Sequence, residues 1–144
     1  MKNVTTKMMI AVAALVTVAG VANAQTMEAK IPFAFRASGK VLPAGTYRVH
    51  LERGSGAPMF VIRGEEPGQE VLAVPNAGGD DPKKEWTSSG NGVLSFQCGV
   101  GRCALQGIWT GEQGRPVYRI PVPNLGKDEP RSVAEIVMHP VKGD

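Results

Sequence analysis

Apolar residues in this chain alternate with polar ones in short runs, and turn-forming residues separate the runs. Ile31, Phe33 and Phe35 alternate with Pro32, Ala34 and Arg36, the period of a half-buried strand. Pro32 lacks a backbone donor, so that strand is expected at a sheet edge, or to begin there. Leu42-Pro43-Ala44-Gly45 turns the chain, and Tyr47, Val49 and Leu51 then alternate with Arg48, His50 and Glu52. Gly54-Ser55-Gly56 reads as a loop. Residues 59–62 form a short apolar strand ending at Gly64, and Glu65-Glu66-Pro67-Gly68 is a turn. Residues 71–74 make the next strand, stopped by Pro75. Residues 76–91 are the longest polar stretch and read as a mobile loop, interrupted by a short strand near Trp86. Residues 93–98 and 103–110 form a hairpin, 117–121 a further strand, and 125–129 a loop. In residues 132–138, Val133, Ile136 and Val137 fit one helical turn almost as well as a strand.

This pattern predicts an all-β fold of about eight short strands, by the run-and-turn reading. A lone sheet would leave one apolar face in water. The strands must therefore pack as a small antiparallel β-sandwich or close into a partly closed barrel. Composition agrees: 18 Gly and 11 Pro are spread between the apolar runs, and 42% hydrophobic residues suffice for a core. At 144 residues there is room for one domain, not for separate catalytic and cofactor domains.

The first 24 residues carry the three parts of a secretory signal, and they are assigned as a helical, cleavable signal peptide. Lys2 and Lys7 supply positive charge, an apolar run follows from Met8, and Ala22-Asn23-Ala24 is a small-x-small cleavage site. Cleavage is expected between Ala24 and Gln25, leaving residues 25–144 as a single β domain, periplasmic or extracellular. No Cys follows that site, which argues against a lipid anchor, and no integral membrane span is expected after processing. The leader holds two of the 16 basic residues and none of the 13 acidic ones, so its removal takes the net charge from +3 to +1. That balance, with no block of Lys or Arg longer than two, gives nucleic acid no electrostatic footprint.

Three stretches together resemble a known pattern: Ile31-Pro32-Phe33-Ala34-Phe35, then Leu42-Pro43-Ala44-Gly45-Thr46-Tyr47-Arg48-Val49, then Phe96 followed by Leu105 and Trp109. The ordered set is similar to a family of small exported bacterial β-proteins with a signal peptide, IPFxF and LPAGxYxV motifs and an F…LxxxW hairpin. The resemblance spans most of residues 27–110. It implies a β-sandwich or barrel and supplies no catalytic residue. The chain departs from the pattern at Cys98-Gly99-Val100-Gly101-Arg102-Cys103 and in the tail after Trp109.

Cys98 and Cys103 are the only cysteines. Export takes them to a compartment where disulfides persist, and a hairpin brings them within bonding range. A structural disulfide is expected. The spacing is C-x4-C rather than the C-x-x-C of redox pairs. Gly99-Val100-Gly101-Arg102-Cys103-Ala104 spells a G-x-G-x-x-A string, but a strand follows it where a dinucleotide loop needs a helix. His50 and His139 stand apart, without the H-x-x-x-H or H-E-x-x-H spacing of zinc sites. No G-x-S-x-G nucleophile elbow occurs. Glu65-Glu66 and Asp80-Asp81 read as solvated turn residues rather than as glycosidase carboxylates or calcium ligands. Most aromatics fall at core-like strand positions. Trp86, in the polar stretch, is the candidate exposed ligand-binding residue.

The expectation is an exported, non-enzymatic β-domain without cofactor or metal, acting on a protein or envelope partner. The alternatives are a periplasmic binder of an apolar or carbohydrate ligand held between the sheets, and a hydrolase whose site is hidden from sequence.

Overall fold

A computed structural model describes residues 26–53, 58–76, 78–122 and 131–141. The expected leader with its Ala24–Gln25 cleavage site and the loops expected at 54–56 and 125–129 lie outside the described residues. Among those described, twelve strands and one short helix arrange into two sheets.

The first sheet is antiparallel. It runs β12 (His139–Pro140), β1 (Thr26–Ile31), β4 (Gly45–Glu52), β5 (Met59–Gly64) and β6 (Glu70–Ala73). The second runs β11 (Ser132–Val137), β8 (Val93–Gly99), β9 (Arg102–Trp109), β10 (Val117–Arg119) and β7 (Gly79–Asp80). A hairpin of β2 (Phe35–Ala37) and β3 (Lys40–Leu42) joins the second sheet by a parallel contact of Arg36 with Ala104. Its turn is Ser38-Gly39 with φ of 49° and 80°. Two consecutive positive φ values match the twist of a two-residue hairpin.

Alternate residues of each strand point into the core, as the two-residue period of a strand requires. Met27, Ala29 and Ile31 on β1 face Leu94, Phe96, Leu105 and Ile108 of the opposite sheet within one buried cluster. Phe35 sits edge-on to both Tyr47 and Phe96, with ring centroids 5.2 and 5.4 Å apart. The Tyr47 hydroxyl donates to the Pro43 carbonyl at 2.5 Å, so the Leu-Pro-Ala-Gly turn is tied to the core by its own strand. Burial pushes the Tyr47 phenol pKa up.

The sheets meet along both long sides, by different means. On one side β11 runs into β12 through Met138, a fully buried corner residue whose N–H donates to the Gly92 carbonyl at 2.8 Å. On the other, β6 and β3 are edge strands, each paired on one side only. There the Lys40 ammonium donates to the carbonyls of Gly68 at 2.5 Å and Glu70 at 3.2 Å. The molecule is a β-sandwich closed by backbone on one side and spanned by a side chain on the other.

The structure corrects two sequence expectations and decides a third point that the sequence left open between strand and helical turn. The run from Ile31 to Arg36 is not one strand: β1 ends at Ile31, and Pro32-Phe33-Ala34 carries the chain from one sheet to the other. Residues 132–137 are strand, paired along their whole length with β8. The stretch around Trp86 is a helix, α1 (Lys84–Ser89), and not a strand. Six residues are too few for an isolated helix in water. Local bonds and packing hold this one. Ser88 Oγ donates to Lys84 O at 2.8 Å, Gly90 ends the helix at φ 73°, and Trp86 is its buried residue.

The β8–β9 hairpin places Cys98 directly opposite Cys103, with sulfurs at disulfide distance, 2.14 Å, and Cα atoms 4.0 Å apart. Replacing both with Ser is expected to lower stability by about 2 kcal/mol, the chain-entropy value for so short a loop. Urea unfolding under oxidising conditions measures it. A change below about 0.5 kcal/mol would mean that the pairing contributes nothing beyond the hairpin itself.

Candidate functional site

The outer face of the second sheet carries a hollow that the alternation of β9 creates. Leu105 and Ile108 both point into the core, although only two residues separate them. Strict alternation would turn one of them outward. The ladder resolves this with a bulge: Ser95 pairs with Gly107, Phe96 pairs with Leu105, and Gln106 is the extra residue. A bulge of this kind re-aims side chains, here so that Gln106 and Gly107 both lie on the outer face. Gly107 also keeps the floor low, since a Cβ there would stand 3.2 Å from Val117 Cγ1. The Gln106 side-chain amide donates to Ser95 Oγ at 2.9 Å, and Ser95 is only 7% exposed.

Around this floor stands a cavity of about 420 Å³. Val117, Ile120, Pro121 and Val122 give it an apolar wall, and Asn76, Asp80, Asp81, Lys83, Trp86 and Arg119 complete the rim. The segment from Asp80 to Lys83 crosses one side and is clipped at each end. At its start Arg119 of β10 holds the Asp80 carboxylate with two N–H groups, the Nε contact being 2.7 Å. At its end Lys83 Nζ donates to Glu135 Oε2 of β11 at 2.5 Å. The Trp86 indole N–H reaches the other Glu135 oxygen at 3.3 Å. These bonds set the titration of the rim. The Arg119 hydrogen bond holds the Asp80 carboxyl below its ordinary value, and Asp80 raises the guanidinium in return. The Lys83 hydrogen bond, with help from the Trp86 indole, lowers Glu135, while Glu135 raises Lys83.

The depressed carboxyl makes the Glu135 clamp dependent on acid. Its contribution to stability is present at neutral pH and is lost as the pH falls through the lowered folded pKa. Glu135→Gln should therefore lower the melting temperature at neutral pH, and the gap to the native chain should close in acid. The clamp is largely solvated, so the effect is small. A gap independent of pH would show that the carboxylate charge does not hold the helix.

Behind the rim lies a second buried cluster of Trp86, Val93, Trp109 and Val117. Trp86 and Trp109 stack at 6.4 Å with planes 26° apart, and the Lys83 ammonium stands 5.6 Å from the Trp86 ring. Trp86 is 8% exposed. It does line the cavity, but it is a packed residue rather than the exposed stacking platform expected from its polar neighbours. Its ring is engaged by the protein itself.

The other candidates lie elsewhere. Cys98 and Cys103 sit at the far end of the β8–β9 hairpin, and Cys103 lines a separate hollow of about 170 Å³ with Phe35, Arg36, Val41 and Arg102. His50 is on β4, its Nδ1 3.4 Å from Thr26 Oγ1. His139 is on β12 opposite Glu28, in a hollow with Lys30 and Val137. The two histidines are not brought together, and no serine lines the His139 hollow. Glu65 and Glu66 are exposed turn residues. Among the described residues, no three His, Cys, Asp or Glu side chains are grouped to hold a metal ion. None of the described helices is long and apolar enough to cross a membrane.

Sequence reasoning missed Ser95, Gln106 and Arg119. One signal was present. Gln106-Gly107 interrupts an apolar run whose phase slips by one residue, and a lone Gly in a strand marks a bulge. Compared with known proteins, the chain matches no protein-family model, no curated sequence and no solved structure.

Proposed function

We propose that the chain is an exported β-domain that works by binding rather than by catalysis, and that the outer-face cavity is its binding site. One observation carries this reading. Polar groups from five separate segments converge on a single cavity of about 420 Å³ that also has an apolar wall. A small number of placed polar groups beside apolar surface is the usual make-up of a small-molecule site. The space between the sheets, by contrast, is filled by the large side chains of the core. Export is supported by the charged, apolar and small-x-small succession of residues 1–24. It accords with a cysteine pair at disulfide distance.

The test is a fragment library screened by amide chemical-shift mapping, using protein isolated from the envelope of an expressing bacterium. Saturable shifts are expected to centre on Ser95, Gly107 and Arg119. Hits that map elsewhere, or no hits, would overturn the reading. Mass spectrometry of the same sample should show a chain beginning at Gln25, and one beginning at Met1 would overturn export.

A second reading has its own observation. Leu72 and Val74 are exposed on and just beyond β6, an end strand of the first sheet. A partner protein could add a strand along residues 72–74, beyond the Gly68 and Glu70 carbonyls that Lys40 already holds. Leu72→Lys would then abolish capture of that partner from envelope extract without changing the fold, and unchanged capture would dismiss this surface.

A further inference from the structure

We infer that the outer-face cavity selects an uncharged, hydroxyl-rich ligand of about monosaccharide size. The inference rests on the proposal that this cavity is the binding site, and it names the class of molecule bound.

The first argument is charge. The lining contains two cations, Lys83 and Arg119, and two anions, Asp80 and Asp81. Three of the four are already engaged: Arg119 with Asp80, and Lys83 with Glu135. An anionic ligand would have to compete with Asp80 for the guanidinium and with Glu135 for the ammonium, and a cationic one would find only the exposed Asp81 outside these pairs. These side chains are largely solvated, so exchanging one partner for a charged ligand returns little, and a solvated contact to Asp81 adds little more. A neutral ligand disturbs neither pair.

The second argument is the hydrogen-bonding pattern. Ser95 Oγ accepts from the Gln106 amide, so its own proton is left to donate. The Gln106 carbonyl oxygen remains an acceptor. The floor thus offers a donor beside an acceptor, both uncharged. The Asp80–Arg119 fork repeats that arrangement on the rim. It keeps free N–H groups and lone pairs at its outer edge, since a guanidinium has five donors and a carboxylate about four acceptor sites. A hydroxyl group both donates and accepts, so adjacent hydroxyls satisfy such a donor–acceptor pair, as a purely accepting anion does not. The third argument is the wall of Val117, Ile120, Pro121 and Val122, which suits the C–H face of a sugar ring.

Four probes that share one ring separate these terms: D-glucose, N-acetyl-D-glucosamine, D-glucosamine and D-glucuronate. The full protein, isolated from the envelope, is titrated with each and followed by amide shifts. The two neutral sugars are expected to give saturable shifts at Ser95, Gly107 and Arg119. The anionic probe should bind there about threefold more weakly than the neutral sugars, the scale of a solvated ion pair's contribution, and the cationic probe should gain no more than about threefold from Asp81. Gln106→Leu and, separately, Ser95→Ala should each weaken the neutral sugars by about tenfold, by loss of a neutral hydrogen bond. Two variants are used because Gln106 also shapes the bulge. If glucuronate or glucosamine binds at these residues and the neutral sugars do not, the ligand class is wrong while the site itself stands. If no probe shifts these residues, the inference falls, and the fragment screen alone decides whether the cavity binds anything.

Discussion

Trp109→Ala should cost about 4 kcal/mol, within the range for removing a buried Trp from a core. Trp109 is fully buried and stacks on Trp86, and its indole N–H donates to the Arg115 carbonyl at 3.2 Å. The damage is not confined to the void. Helix α1 has Trp86 as its buried residue, and Trp109 is what Trp86 packs on. A six-residue helix without its packing partner does not persist. The substitution should therefore melt α1, loosen the Lys83 end of the segment from Asp80 to Lys83, and open that side of the cavity. Urea unfolding gives the energy, and hydrogen exchange at residues 84–89 reports the helix. A cost below about 1 kcal/mol, or unchanged protection of α1, would show that the helix is held by its ion pair instead.

Gly111→Ala is the second large effect, and Gly114→Ala is its control. Both glycines have positive φ, 90° and 81°, so alanine at either pays the left-handed penalty of about 1–2 kcal/mol. At Gly114 the added Cβ meets nothing within 4 Å. At Gly111 it would lie 2.9 Å from the Gly92 nitrogen and 3.0 Å from the Gly90 oxygen. Those are backbone atoms of the turn that ends α1, and they cannot swing aside as a side chain would. Gly111→Ala is therefore expected to cost about 3 kcal/mol or more, adding an overpacking term to the dihedral one. Thermal melts of the two variants measured together decide it. Equal losses would mean that the loop yields and only the dihedral matters.

How far the fold could be read from the chain depended on how local its causes are. The β8–β9 hairpin was legible because its cause is local: two apolar runs, a Val100-Gly101 turn, and cysteines that fall opposite each other. The Tyr47, Val49, Leu51 alternation of β4 was legible for the same reason. β1 was not, although Met27, Ala29 and Ile31 alternate with Thr26, Glu28 and Lys30, because the run lies against the expected cleavage site and the Ile31, Phe33, Phe35 alternation beyond it claimed its last residue. Helix α1 was not, because one buried residue makes no 3.6-residue period, and the packing of Trp86 on Trp109 joins positions far apart in sequence. The cavity was least legible. Its floor comes from β8 and β9, its rim from β7 and β10, and Glu135 from β11 anchors the edge. Only Trp86 and the Asp80-Asp81 pair stood out beforehand, and both looked like solvent-facing features.

The Lys40 ammonium has a consequence beyond joining two strand ends. A sheet that stops with free carbonyls is a template, and an identical neighbour can continue it. Gly68 and Glu70 would offer such acceptors at the start of β6, and Lys40 occupies both. One amine thus works as a chain terminator for the sheet, at the edge that also exposes Leu72. Acetylating that amine would remove its charge and unblock the acceptors, leaving an edge on which a second copy of the chain can pair.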